Sequence, residues 1–260
     1  MGNLETKIPN PSPESLADSS KTDALTKISP QAQSNSEAPP VDLAAIATII
    51  RLQNQAPPLE RVPRAGNLPV SFAQERFWIL EQLAAKNAFY NESVAFRISG
   101  KLNITALEQS FNEIFRRHEA LRTSFVMEDG ELVQIIPFNW NFNLSIVDAT
   151  TVPNPESQIS TFLNQEAKQP FKLSAELLLR AALLNLGEED WVLLITVHHI
   201  AFDKWSEGLL FQELTALYQA FSTSEPSTLP ELPIQYNDFA QWQLQWLKNE
   251  VLDEQLHYWL

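Results

Sequence analysis

Along most of the chain, apolar positions recur with periods that predict helices and strands in alternation. A spacing of three or four residues predicts helices at residues 72–85, 103–118, 155–167, 204–221, 237–249 and 252–260. Alternating or continuous apolar runs predict strands at residues 92–99, 121–127, 132–137, 142–146, 178–186 and 191–198. The run at 191–198 is almost wholly apolar, which indicates burial on both faces. This order predicts an α+β fold with helices packed against a sheet.

Individual residues support several of these predicted elements. Ser71 stands directly before the first predicted helix, where a hydroxyl can cap the free backbone N–H groups. The first helix is expected to bury a stripe of four side chains: Phe77, Trp78, Leu80 and Leu83. Residues 128–130, Glu-Asp-Gly, separate two strand runs and predict a hairpin turn.

The first 66 residues differ from the rest of the chain. Residues 1–40 are rich in Pro, Ser, Asn and Gln, and no aromatic residue precedes Phe72. Such a segment buries too little apolar surface to offset its ordering entropy, so we expect disorder over residues 1–66. Residues 42–55 have helical spacing and form a candidate short helix, which docks on a partner or on the main domain, or forms transiently in a linker. The folded domain is therefore expected at residues 67–260.

Composition narrows the classes of function. The 18 basic and 32 acidic residues give a formal net charge of −14, which disfavours nucleic-acid and anionic-membrane partners. The chain has no cysteine, which excludes disulfides, thiolate metal sites and a cysteine nucleophile. No apolar stretch reaches the roughly 20 residues of a spanning helix, and no signal-peptide pattern begins the chain. We therefore expect a cytoplasmic protein.

The candidate chemistry lies at residues 197–203, Val-His-His-Ile-Ala-Phe-Asp. His198 and His199 stand where a buried strand ends, and a histidine there can take a proton from an attacking amine or hydroxyl. Asp203 can hold the loop by an ion pair or cap the next helix. The spacing alone leaves open a purely structural histidine pair. No third metal ligand stands nearby, and the chain lacks the G-x-S-x-G elbow of many hydrolases.

Four ordered segments resemble the motifs of condensation domains of nonribosomal peptide synthetases. Residues 198–203 match the family signature H-H-x-x-x-D. Residues 71–80 match S-x-A-Q-x-R-x-W-x-L, and residues 117–125 match R-H-E-x-L-R-T-x-F. Residues 236–242 resemble Y-x-D-Y-A-x-W. The resemblance extends from about residue 68 to residue 260.

The resemblance implies a fold similar to chloramphenicol acetyltransferase. In that fold two related lobes, each an α/β two-layer sandwich with helices packed on a mixed β-sheet, form a V with the active site in a tunnel between them. The motifs of the second lobe are absent from this sequence. We therefore expect these residues to form the N-terminal lobe, with the C-terminal lobe missing.

The resemblance also implies an acyltransferase activity in secondary metabolite biosynthesis. Condensation domains join an acyl or peptidyl thioester on one carrier protein's phosphopantetheine arm to an amine on a second carrier, which yields an amide. The implied partners are upstream and downstream peptidyl carrier proteins, an adenylation domain and the missing lobe, and the chain itself is expected to bind no cofactor. Two alternatives stay open: an inactive remnant that still binds a carrier protein, and a free-standing acyltransferase that forms esters or amides.

The resemblance assigns roles to individual residues. His199, the second histidine of the motif, is expected to act as general base on the amine or to orient it and stabilise the tetrahedral intermediate. His198 is expected to be turned into the lobe. Asp203 is expected to hold the loop through an arginine, with Arg76 as the first candidate partner and Arg122 as the second.

The residues after the motif are expected to line the tunnel. These are Lys204, Trp205 and Ser206. The family usually has glycine at the position of Lys204, so a long cation here puts full activity in question. Cyclising relatives have aspartate in place of His198, which argues against that subfamily. Trp205-Ser206 resembles ordinary condensation domains more than epimerising ones.

Overall fold

The structure is a computed structural model that describes residues 4–8, 56–83, 88–151, 155–248, 251–253 and 256. The chain divides into two compact units, of which the larger contains residues 58–245 together with residues 4–8. In the smaller unit the described residues 251–253 and 256 are helical, within the helix predicted at 252–260. The candidate helix at 42–55 lies outside the described residues.

Five α-helices and eight strands have both bounds within the described residues. The helices are α1 Phe72–Leu83, α2 Ile104–Arg117, α3 Pro155–Ala167, α4 Lys204–Ser222 and α5 Tyr236–Trp246, with a 3-10 turn at Glu119–Arg122. The strands are β1 Leu4–Ile8, β2 Leu68–Pro69, β3 Asn91–Ser99, β4 Ser124–Glu128, β5 Glu131–Ile135, β6 Ser145–Asp148, β7 Leu179–Gly187 and β8 Asp190–His198.

The main sheet has the strand order β1-β3-β8-β7-β6. All neighbours pair antiparallel except β6 and β7, which are parallel, so the sheet is mixed as expected. The apolar strand β8 is central, with Asn91 of β3 opposite His198 on one side and Leu179 of β7 opposite Val197 on the other. Side chains of β8 enter the apolar clusters on both faces of the sheet, which explains its apolar run.

Helices cover both faces of the main sheet. On one face α2 and α4 bury a core that includes Phe111, Phe115 and Leu217. On the other face Ile159 and Phe162 of α3 pack on the sheet. The α+β class and the mixed sheet are confirmed, and α3 adds a helical layer behind the sheet.

The second sheet has the order β2-β5-β4 and contains the predicted hairpin. At its turn Asp129 and Gly130 have φ values of 51° and 87°, which are the two positive angles of a tight hairpin turn. A third apolar cluster lies beside this sheet and includes Phe125, Phe171 and Ile200. Because Ile200 belongs to the histidine motif, this cluster ties the motif to the second sheet.

Four expectations from the sequence need correction. Leu83 was expected to be buried but is 79% exposed. The inward face of α1 carries Gln74 and Glu81. Leu83 lies about 200° around the helix from Glu81, so it is on the opposite side. Residues 4–8 form strand β1 on the edge of β3, where disorder was expected.

The strand predicted at 142–146 begins at Ser145. The strand predicted at 121–127 begins at Ser124, because the 3-10 turn precedes it. Among the described residues, no helix is long and apolar enough to cross a membrane.

Candidate functional site

The histidine motif forms a tight turn at the end of the central strand. The backbone N–H of His198 donates to Leu178 O (2.9 Å), and that of His199 donates to Tyr90 O (2.8 Å). The backbone N–H of Ala201 then returns to His198 O (3.0 Å). The turn is therefore anchored to the chain on both sides of β8.

His199 has a defined tautomer. Its Nδ1 lies 2.6 Å from Phe202 O, and a carbonyl oxygen can only accept, so Nδ1 carries the proton. The other ring nitrogen, Nε2, then has the free lone pair that a proton acceptor needs. The imidazole packs on the ring of Phe77, with a centroid distance of 4.9 Å.

His198 lies inside the lobe and is 1% exposed. Its Nδ1 accepts the backbone N–H of Ile200 (3.1 Å), and its ring meets Phe171 edge-on with a centroid distance of 5.8 Å. Burial, followed by the charges of His199 and Arg180, lowers the pKa of His198 to about 4. The ring is therefore neutral at physiological pH and has no access to a substrate.

Asp203 caps helix α4. Its Oδ1 accepts the backbone N–H of Ser206 (2.8 Å) and the Ser206 hydroxyl (2.6 Å). These hydrogen bonds lower the pKa of Asp203, and the charge of His199 lowers it further. A carboxylate is thus held at the end of the histidine turn.

The expected arginine partner of Asp203 is wrong for both candidates. The Arg76 guanidinium lies 5.3 Å from the ring centroid of Phe77, and Arg76 is exposed. Arg122 donates to the carbonyls of Phe115 and Pro137 and lies 4.9 Å from the Trp140 ring centroid. Within the described residues no ion pair joins Asp203 to an arginine. The contacts from Ser206 satisfy the carboxylate through the helix cap instead.

The three residues after Asp203 have different surroundings. The ammonium group of Lys204 pairs with Glu207 one turn along α4. Trp205 is 82% exposed, so it does not pack beneath the turn. Ser206 is the cap ligand described above, a role that the sequence did not predict for it.

A buried ion cluster joins the second and fourth motif segments and was not predicted from the sequence. Arg64 Nε lies 2.7 Å from Glu119 Oε2, and its Nη1 lies 2.6 Å from Asp238 Oδ1. The Asp238 carboxylate is fully buried and also accepts the backbone N–H groups of Val62 and Gln235. Burial alone raises the pKa of Asp238, but the hydrogen bond from Arg64 and those backbone bonds lower it.

The first and fourth motif segments are hydrogen-bonded to each other. Ser71 and Gln74 form a reciprocal cap of α1, with Ser71 N–H to Gln74 Oε1 at 2.9 Å and Gln74 N–H to Ser71 Oγ at 3.2 Å. Ser71 Oγ lies 3.0 Å from Tyr236 Oη, and Gln243 accepts the N–H of Phe72 (3.0 Å). The predicted cap is confirmed, and it also fixes α5 beside α1.

The second motif segment holds α2 to α4. Arg117 donates twice to the Glu213 carboxylate at 3.0 Å, and His118 Nε2 lies 2.8 Å from Glu213 Oε2. Burial raises the pKa of Glu213, but these bonds outweigh it and lower the value to about 2. The segment therefore links α2 to α4 through a single carboxylate.

One cavity among the described residues lies away from the histidine turn. It has a volume of about 770 Å³ and lies between the chain before β6 and the start of β7, with Trp140 and Arg180 in its wall. Neither His199 nor Asp203 lines it. Within the described ranges no cluster of three His, Cys, Asp or Glu side chains has the arrangement of a metal site.

Known proteins resemble this chain over the same residues. The family described as the condensation domain matches residues 64–260. One of the linear gramicidin synthase proteins of Brevibacillus parabrevis is 45% identical over 204 residues, which are 78% of this chain and 3% of that protein. The X-domain from teicoplanin biosynthesis, solved in complex with OxyB, has a TM-score of 0.71 at 31% identity, over 78% of this chain and 44% of that one. The starter condensation domain of rhizomide synthetase RzmA shares the fold, with a TM-score of 0.68 at 20% identity, over 75% of this chain and 47% of that one.

The chain belongs to the condensation-domain family of nonribosomal peptide synthetases. The fold and the order of motifs agree with this assignment. The chain spans less than half of the solved chains that it matches and a few per cent of the gramicidin synthase protein.

Proposed function

We propose that this chain is the N-terminal lobe of an amide-forming condensation domain. The donor is an acyl or peptidyl thioester on the phosphopantetheine arm of one carrier protein, and the acceptor is the amine of an aminoacyl group on a second carrier. The observation that carries the proposal is the bond from His199 Nδ1 to Phe202 O, because it leaves the Nε2 lone pair free.

The reaction needs one proton acceptor and one proton donor. The amine nitrogen attacks the thioester carbonyl, the C–N bond forms, and His199 Nε2 takes the proton that the amine loses. The C–S bond then breaks, and the departing sulfur takes the proton back from the imidazolium. The Asp203 carboxylate favours the transient positive charge on His199. An amine that enters neutral needs no earlier deprotonation.

The second lobe and the carrier proteins complete the proposed site. Large apolar side chains near the turn stay exposed, among them Trp205 (82%) and Leu209 (49%) on α4. Exposed apolar surface of this kind is typical of a contact surface. We expect Lys204 and Trp205 to lie in the tunnel wall, and an adenylation domain to load the acceptor carrier.

A completed domain tests this proposal. This chain is fused to the second lobe of a condensation domain from the same linear gramicidin synthase protein, and the fusion is mixed with a loaded donor carrier and a loaded acceptor carrier. Intact-mass spectrometry of the acceptor carrier should show the amide product. The product should disappear in His199→Ala and persist in Glu188→Ala, an exposed residue in the β7–β8 turn. Equal product from both variants would refute the role of His199.

One observation favours a second candidate, a binding module without catalysis. The X-domain from teicoplanin biosynthesis, 31% identical to this chain, is described in complex with OxyB. A binding module would hold a carrier protein or another enzyme with unchanged affinity in His199→Ala, and the completed domain would form no amide. The same fusion protein therefore separates the two candidates.

A further inference from the structure

A buried acidic side chain faces the first histidine of the motif. Glu81 lies on the inward face of α1, and its side chain is 10% exposed. Its Oε2 stands 3.8 Å from Nε2 of His198. Both atoms are buried, and neither has a hydrogen-bond partner among the described residues. Buried polar atoms are nearly always paired, so this juxtaposition calls for an explanation.

The hydrogen bonding of His198 determines which nitrogen carries its proton. Nδ1 accepts the N–H of Ile200, so Nδ1 has the lone pair and the proton of the neutral ring is on Nε2. The Glu81 carboxyl group is the acceptor that lies 3.8 Å from this nitrogen, which is longer than a hydrogen bond. Contacts of this kind are often long in the absence of substrate.

We propose that Glu81 is a positioning residue of the histidine turn: it accepts the Nε2 proton of His198 and so fixes the turn that carries His199. The inference rests on the proposed function, because its catalytic consequence is the aim of His199 at the amine. An acid that orients a histidine through its second nitrogen is a general device of enzyme sites.

Several features near the turn agree with this role. His198 is the hub of the turn, since Ile200 N–H bonds its ring and Ala201 N–H bonds its carbonyl. Burial raises the pKa of Glu81 and lowers that of His198, so both shifts disfavour a full ion pair and leave the ring neutral. The ring of Phe171 packs edge-on against the imidazole and helps to enclose it.

The first test needs no enzymatic activity. The 260-residue chain is labelled with ¹⁵N in its four histidine rings, and the His198 signals are assigned by their loss in His198→Asn. We expect the parent to show the Nε2–H tautomer with a proton that exchanges slowly with water. Glu81→Leu should lose that protection, and Glu81→Gln, which keeps an acceptor oxygen, should retain it. Glu75→Leu, on an exposed position of the same helix, is the matched control.

The second test uses the completed domain described above. Glu81→Leu should lower kcat about 10- to 100-fold with little change in KM, as expected when a group that orients a functional histidine is lost. Glu81→Gln should recover most of that loss, and Glu75→Leu should match the parent.

Three results would overturn the proposal. These are a proton on Nδ1 of His198, equal exchange in the parent and Glu81→Leu, or unchanged kcat in Glu81→Leu. A parent protein that forms no amide but shows the protected Nε2 proton would refute the proposed function alone. Far-ultraviolet circular dichroism of each variant identifies any that fails to fold. If Glu81→Leu fails, the tautomer and proton exchange of His198 in the parent decide the question, because a proton on Nδ1 or rapid exchange at Nε2 overturns the proposal.

Discussion

Arg64 and Asp238 form a buried ion pair of 2.6 Å although 174 residues separate them in the chain. The same guanidinium holds Glu119, so one side chain joins the segment before the first helix, the 3-10 turn and α5. The Asp238 side chain is fully buried and that of Arg64 is 15% exposed, so loss of either partner leaves a charge with little access to water.

Arg64→Ala should lower the free energy of unfolding by about 3–5 kcal/mol, because it strands two buried carboxylates. Urea denaturation measures this loss. The control is Arg97→Ala, whose pair with Asp190 is 40% and 37% exposed, and it should cost no more than about 1 kcal/mol. Equal losses from the two variants would contradict a structural role for the Arg64 cluster.

Glu213 should make the protein acid-sensitive. Its folded pKa is about 2 against an ordinary value of 4.5, so its stabilisation is complete above about pH 4.5 and is lost as the pH falls toward 2. The contribution is at most about 3 kcal/mol. Glu213→Gln should flatten the dependence of unfolding free energy on pH in that window. A curve parallel to the parent would rule out this assignment.

His198 should make the free energy of unfolding depend on pH in a higher range than Glu213 does. Its folded pKa is about 4 against 6.5, so the unfolded chain binds the extra proton between those values. Its contribution is therefore complete above about pH 6.5 and declines as the pH falls to about 4. His198→Asn should remove most of the slope between about pH 5.5 and 6.5, where Glu213 is ionised in both states. Persistence of the full slope would show that other groups cause it.

The cap of α1 should contribute to the free energy of unfolding through two hydrogen bonds that can be tested separately. Ser71→Ala removes the cap and the contact with Tyr236, and should cost about 1–2 kcal/mol. Tyr236→Phe removes only the second contact and should cost less, about 1 kcal/mol. Thermal unfolding of both variants provides the comparison. A larger loss from Tyr236→Phe would mean that the cap is not the main contribution.

Elements determined by local pattern were predicted well. Helix α3 has its predicted bounds, and the hairpin follows from the Asp129-Gly130 turn. Long-range partners were not predictable in the same way. The pairing of Arg64 with Asp238 has no local signal, because periodicity reports which face is buried and not what it meets.

In the candidate site, too, local features were predicted and long-range partners were not. The histidine turn was located from a buried strand that ends in two histidines. The partner of Asp203 was wrong, because a carboxylate before a helix can serve either as a cap or as half of an ion pair, and only the fold distinguishes them. Glu81 gave no signal, since a charged residue in an amphipathic helix is ordinarily exposed.

The role of His199 is best measured by a single turnover of the completed domain, with both carriers loaded and the amide followed by rapid quench. His199→Ala should reduce the rate constant by about 10²–10⁴-fold, the usual contribution of general acid–base catalysis, with unchanged affinity for the carriers. A rate constant within about threefold of the parent would lie outside that range and would contradict proton transfer at His199.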